Sequence, residues 1–161
     1  TIQLDFNLPE RFDLEYINAH NETERPVMIH RAIFGSMERI SMILIEHFAG
    51  AFPTWLCADQ VMLIPVTDKH NEYAKKIAET LLDSDIRAKV DLRAERMNYK
   101  IRDAQEKQIP YMLIIGDKEI ESGKVNVRFR RGDQQNLMSL SEFTNKIWEE
   151  IKSRDLGSFL Q

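Results

Sequence analysis

Three side chains in the stretch PVMIHRAIFGSMERISMILIEH, Pro26 to His47, are of types that do chemistry yet lie in an otherwise apolar run: His30, Arg31 and Arg39. Charged groups are rarely buried without a partner. Ser36 precedes an apolar pattern at helical spacing (Met37, Ile40, Ile43, Leu44, Phe48) and is a good helix N-cap. Arg39 is then the third helical residue, where a capping box would place Glu and where a cation opposes the helix dipole. Two arrangements accommodate it. Arg39 pairs with Glu38 or another carboxylate, or it grips an anion together with the free N–H groups of the helix start, as phosphates are often held. Gly35 would let such a ligand approach the backbone closely. His30 is either a hydrogen-bonded interior residue or a metal ligand. No second His and no CxxC lies at ligand spacing, so a metal on His30 would take its other ligands from outside this chain. Arg31 points opposite to His30 and calls for a buried carboxylate.

Two further segments have the makings of an RNA surface. KVNVRFRRG, from Lys124, is basic with no acidic residue. Strand alternation sends Val125, Val127 and Phe129 inward and Asn126, Arg128 and Arg130 outward together. That outer face suits base edges and phosphates, or equally a solvated strand protected by charge against edge pairing. DLRAERMNYKIRDAQ adds Arg93, Arg96, Lys100 and Arg102 around Tyr99, a mix suited to single-stranded RNA but diluted by Glu95 and Asp103. Cys57 has no partner to make it a nucleophile and is read as structural. His47 and His70 look like ordinary helix-end and loop residues.

These residues must be carried by a packed fold. At 161 residues, 43% hydrophobic and 30% charged, the chain suits one globular domain or one domain plus a piece of another. No run is apolar enough to span a membrane, no secretory signal opens the chain, and a single cysteine fits the cytoplasm. A net charge of -4 excludes indiscriminate nucleic-acid binding but not a local basic patch. Ile2, Leu4 and Phe6 alternate with Gln3 and Asp5 as a half-buried strand. A strand at the very start needs partners, so the chain is expected to be the C-terminal part of something longer. A polar, loop-like stretch follows to Pro26, then a central strand over Val27 to Phe34 covered on both faces, and a helix closed by Gly50 and Pro53.

From Gln60 strands and helices alternate. VMLIPV, RAKVDL and YMLIIG are strands, with helices over NEYAKKIAETLLDS and Met97 to Glu106. KEIESGKVNVRFRRG reads as a hairpin turning at Ser122-Gly123. SLSEFTNKIWEEIKSR is a closing helix with Ser141 and Glu142 as start signals and Phe143, Ile147 and Ile151 as its buried stripe. The fold class is α/β.

PVMIHRAIFGSMER resembles motif 3 of class II aminoacyl-tRNA synthetases, in the form found in the threonyl-tRNA synthetase family. TIQLDFNLPERFDLEYI, EHFAGAFPTWL, VDLRAE and IPYMLIIGDKEIESGKVNVR match that family in order and spacing, and the resemblance covers essentially the whole chain. It implies a partial class II antiparallel-sheet core over residues 1–57 and an α/β anticodon-binding domain, with a mixed sheet flanked by helices, over 58–161. It further implies an ATP-dependent threonine–tRNA ligase in the longer protein, with ATP and Mg2+, threonine and tRNA(Thr) as substrates and partners. A homodimer and a cytoplasmic location go with it, and no membrane.

By the same resemblance Arg39 is the catalytic arginine that contacts ATP phosphate. Gln3, Gly35 and Ser36 line the adenylate pocket with it, and His30 is the last ligand of a Zn2+ whose other ligands lie upstream. Arg93, Arg96, Glu119, Asn126, Arg128 and Arg130 belong to the anticodon surface. Departures from the family are Ile40 and Met42 after MER, WLCADQ in place of a Pro-containing linker, and Ala94 where a polar residue is expected. With part of an active site only, the chain alone is expected to be inactive and to bind tRNA weakly. The alternative is a non-catalytic tRNA-binding or regulatory paralogue.

Overall fold

The computed structural model describes residues 1–131 and 135–156. It divides into two compact units, Thr1–Leu44 and a second from Ile45 onward. No described helix is long and apolar enough to cross a membrane.

In the first unit β1 (Ile2–Asp5) and β4 (Met28–Arg31) form a two-stranded antiparallel sheet, with Gln3 opposite His30 and Ile2 opposite Arg31. Between them lie α1 (Asn7–Arg11) and the small antiparallel pair β2 (Tyr16–Ile17) and β3 (Thr23–Glu24). The polar stretch is therefore not all loop. The Asp5 side chain accepts the N–H groups of Asn7 and Leu8 and starts α1, a short-range capping pattern that can override a loop-like composition. β4 is not a central covered strand either: among the described residues it pairs with β1 alone, and Ile29 is 63% exposed. α2 (Met37–Phe48) likewise buries no residue fully, although its apolar stripe is real. Ala49 and Gly50 end it with positive φ, Gly50 at +77°, and the Gly50 N–H returns to the Ile45 carbonyl.

The second unit is a five-stranded mixed sheet in the order β6-β5-β7-β8-β9. β5 (Val61–Pro65), β6 (Ala88–Val90) and β7 (Tyr111–Ile115) are parallel, while β8 (Lys124–Phe129) and β9 (Gln135–Ser139) are antiparallel to their neighbours. Parallel strands need crossover helices, supplied by α3 (Asn71–Asp83) and α4 (Met97–Glu106). On one sheet face Val61, Leu63, Tyr111, Leu113, Val125, Val127 and Phe129 pack with Ile77 and Leu81 of α3 and with Phe143 and Ile147 of α6 (Leu140–Ser153). On the other face α4 brings Ile101 and Ala104 onto Ile64, Met112 and Ile114.

Two sequence expectations change here. The segment after β7 is not one arm of a hairpin but a short helix, α5 (Asp117–Ser122). Glu119 Oε2 accepts the Gly116 N–H, and Gly123 caps the helix at φ +65°. β8 instead pairs with β9, a strand the polar sequence QNLMS does not advertise. The cap of α6 is Ser139, which accepts the Glu142 N–H at 3.1 Å, so Ser141 is already helical.

The segment before β5 is held by side chains that read its backbone. Arg87 donates to the carbonyls of Trp55, Cys57 and Ala58, and the fully buried Gln60 donates to Thr54 O and accepts from Arg87 N. Cys57 is buried with its thiol against Phe52 O, and desolvation raises its pKa, so it is structural. Arg87→Ala is expected to lower the melting temperature by about 2–5 °C, as a partly exposed side chain with several carbonyl contacts. Differential scanning calorimetry of the chain checks this, and an unchanged melting temperature would contradict the clamp.

Candidate functional site

The first unit carries one group of candidates. Ser36 is the cap of α2: its hydroxyl accepts the Arg39 N–H at 3.3 Å, and its carbonyl accepts from Ile40 N. The same hydroxyl donates to Glu38 Oε2 at 2.6 Å, which holds the Glu38 carboxyl below the usual range. Glu38 is therefore engaged with Ser36, and Arg39 is exposed with no ion-pair partner among the described residues. Of the two arrangements open for Arg39, carboxylate pairing is not the one present. A Cβ added to Gly35 would meet open space, and its φ is not positive, so the residue leaves room without being required by the turn.

Directly opposed residues of an antiparallel pair share a face, so Gln3 and His30 point the same way. Asp5, two positions on from Gln3, joins them: His30 Nε2 is 2.8 Å from Asp5 Oδ2. Hydrogen bonds from the Leu8 N–H, then His30 and the Asn7 N–H, hold the Asp5 carboxyl low. Sequence alternation places Asp5 on the Gln3 face, but only the register shows that it meets His30. Arg31 lies on the opposite face, exposed and without a carboxylate partner among the described residues, so it is not the buried ion pair its sequence context suggested. No group of three or more potential metal ligands occurs among the described residues.

The second unit carries the other group. Arg93, Arg96 and Glu119 follow the carboxyl ends of β6 and β7, at the edge where open α/β sheets present ligand-binding loops. Asn126 and Arg128 project from β8 on the α4 side of the sheet, opposite Ile114 and Met112, and both are half-buried. Leu137 on β9 stands beside Asn126 on the same face and is 58% exposed, so α4 does not cover this part of the sheet. A crevice of about 390 Å³ opens at the carboxyl ends of β5 and β6, lined by Asp68, Arg93, Ala94, Arg96 and Lys100 among others.

Not every basic residue faces this surface. Arg93 forms hydrogen-bonded ion pairs with the buried Asp91 (2.6 Å) and with Asp103 (2.6 Å); these raise its pKa further and lower the Asp91 carboxyl, while Lys107 first and Arg93 second lower that of Asp103. Lys100 is buried on the Asp91 carbonyl, and Arg102 pairs with Glu106. Of that segment Arg96 alone, among the described residues, is exposed without an acidic partner. Arg130 does not share the outer face with Asn126 and Arg128. β8 ends at Phe129, and the Arg130 guanidinium turns to the Phe52 and Gln108 carbonyls at the far edge of the sheet. His70, read as an ordinary loop residue, is buried. Its Nδ1 accepts from Thr67 N, so Nε2 carries the proton toward Asp117, tying the β5–α3 turn to α5.

Comparison with known proteins accords with this division. The family described as the class II core domain of tRNA synthetases (G, H, P, S and T) matches residues 1–48, and the anticodon binding domain family matches residues 60–150. A threonine–tRNA ligase of Clostridium botulinum is 56% identical over 154 residues, and one of Caldanaerobacter subterraneus is 53% identical over 156. These alignments cover 96% and 97% of this chain but 24% of each relative, so the chain spans about a quarter of their length. Among solved structures, the RNA binding domain of threonyl-tRNA synthetase from Cryptosporidium parvum superposes with a TM-score of 0.70 at 37% identity, covering 99% of this chain and 40% of that one. Histidyl-tRNA synthetase from Nostoc shares the fold over 61% of this chain and 23% of its own, with a TM-score of 0.53 at 19% identity. The chain therefore belongs to the threonyl-tRNA synthetase family, carrying a stretch of the class II core domain joined to an anticodon binding domain.

Proposed function

We propose that this chain is the motif 3 and anticodon-reading part of a cytoplasmic threonine–tRNA ligase, which activates threonine with ATP and Mg2+, transfers it to tRNA(Thr) and works as a homodimer. Residues 1–57 would complete the class II core and 58–161 would read the tRNA. The observation that carries the catalytic half is Arg39, a guanidinium held against the helix dipole with no ion-pair partner among the described residues. A triphosphate would supply the missing negative charge, with Ser36 and Gly35 shaping the helix start and Gln3 alongside. His30 suits a zinc ligand because the carboxylate beside it can only accept a hydrogen bond, leaving one ring nitrogen free as a donor to metal. Bound zinc would supply a Lewis acid for the amino and hydroxyl groups of threonine, which rejects isosteric valine. Among the anticodon candidates, Asn126, Arg128, Arg96 and Glu119 carry the reading. Arg93 braces the surface through its pairs with Asp91 and Asp103, whereas Arg130 is engaged by the Phe52 and Gln108 carbonyls away from it.

Arg128→Ala in the longer protein should weaken tRNA(Thr) binding about 5–150-fold and blunt discrimination against a transcript altered in the anticodon. Filter binding of both transcripts measures it, and equal affinity for both in wild type and variant would count against anticodon reading. Persistent tRNA binding without threonine-dependent ATP–pyrophosphate exchange would favour the regulatory paralogue.

A further inference from the structure

We infer that Asp5 is the positioning residue that decides which imidazole nitrogen of His30 faces the metal, an inference that rests on the reading of His30 as a zinc ligand. Oδ1 of Asp5 accepts the backbone N–H groups of Asn7 (2.9 Å) and Leu8 (3.0 Å), which pins the carboxylate and turns Oδ2 to His30 Nε2 at 2.8 Å. The contact is a diagonal across the antiparallel pair, since Gln3 faces His30 and Asp5 faces Met28, so the register of β1 against β4 sets it. A carboxylate oxygen only accepts, so Nε2 is the protonated nitrogen and Nδ1 keeps the lone pair of the neutral ring. Asp5 is not a second ligand to the same ion. Two donors on a tetrahedral zinc at about 2.0–2.1 Å each are about 3.3 Å apart, wider than this contact. The His30 side chain is 45% exposed, which leaves the ring reachable.

Asp5 also starts α1, and the test separates the two roles. Asp5→Asn keeps an oxygen for the Asn7 and Leu8 N–H groups but presents an NH2 to the ring. Nε2 must then accept, the proton moves to Nδ1, and the metal-facing lone pair is lost. Asp5→Ala removes the acceptor of the Asn7 and Leu8 N–H groups but leaves the ring free to choose its tautomer. In the longer synthetase, zinc affinity by chelator competition should therefore fall about 10–100-fold in Asp5→Asn, at least as far as in Asp5→Ala. The visible absorption spectrum of the Co2+-loaded protein should shift in Asp5→Asn as well. If Asp5→Asn binds zinc as wild type does, or better than Asp5→Ala does, Asp5 is only a helix start and the inference falls. His30→Ala is the separate arm: full zinc retention there would overturn the ligand reading itself, whereas zinc loss there with unchanged affinity in Asp5→Asn would overturn only the positioning role.

Discussion

Replacing Arg39 by Ala in the longer synthetase is expected to lower threonine-dependent ATP–pyrophosphate exchange about 10²–10³-fold, the range seen when one preorganised charge-stabilising group is removed from an active site. The structure makes this a clean experiment. Arg39 is exposed, has no ion pair among the described residues, and sits at the third position of α2, where its charge opposes the dipole. Deleting it removes nothing that holds the helix, because the cap is the Ser36 hydroxyl acting on the Arg39 backbone N–H, which alanine keeps. The melting temperature should hold within about 2 °C and move upward if at all. Arg39→Lys keeps the charge but loses the planar fork, so it should recover only part of the rate. A residue that costs helix stability and limits the reaction is what a binding role predicts. Undiminished exchange by Arg39→Ala would remove Arg39 from the active site.

The second unit was legible because burial writes itself into sequence as period and run length. VMLIPV and YMLIIG are continuous apolar runs and became two of the three parallel strands, β5 and β7, with helices on both faces of the sheet. α3 and α6 showed their stripes and buried Ile77, Leu81, Phe143 and Ile147. β9 does not show as a strand because Met138 is the one buried side chain among its described residues, while Leu137 faces outward beside Asn126. α5 does not show as a helix although the G-x-x-E spacing of Gly116 and Glu119 supplies the Glu-to-N-cap N–H half of a capping box, since Ser122-Gly123 reads as well as a hairpin turn as a helix end.

The candidate sites divide along the same line. Strand parity placed Asn126 and Arg128 outward, but parity lapses where the strand stops, and Arg130 lies one residue past that point. Ion pairing is harder to foresee: Arg93 takes Asp91 from its own turn and Asp103 from α4, ten residues on. The clamp of Arg87 on the 55–58 carbonyls and the meeting of Asp5 with His30 both join residues at least 25 positions apart. In the first unit the apolar pattern was read correctly, yet its burial was not: Ile2, Leu4, Ile29 and Met37 are all exposed in the described residues. Pattern reports which face is apolar, whereas burial depends on what is packed against it.

The largest stability effect is expected at Tyr111, and its pH dependence tests a buried charge. Tyr111 is fully buried at the centre of the sheet, edge-on to Phe129 at 5.8 Å and Phe143 at 5.6 Å, and its hydroxyl donates to Glu150 of α6. Tyr111→Ala should destabilise the second unit by about 3–5 kcal/mol in urea unfolding. Tyr111→Phe should cost about 1–3 kcal/mol, because the ring packing survives while the Glu150 carboxyl loses a donor. Burial raises the Glu150 pKa above its ordinary 4.5, partly offset by hydrogen bonds from Thr54 and Tyr111 and by the Arg130 charge. The sign follows from proton linkage. With the folded-state value above the unfolded one, the folded protein holds more protons between the two, so this group destabilises progressively as pH rises through that window. Asp91, Asp103 and Asp117, all lowered, act with the opposite sign and mask it in wild type. The Glu150→Gln variant cancels those common contributions. Its stability relative to wild type should rise from pH 4.5 toward neutrality, and more steeply in the Tyr111→Phe background, where the carboxylate has lost its phenolic donor. Parallel pH profiles for wild type and Glu150→Gln would mean that the carboxylate is stabilised in place as fully as in water, and that α6 is not anchored through a strained charge.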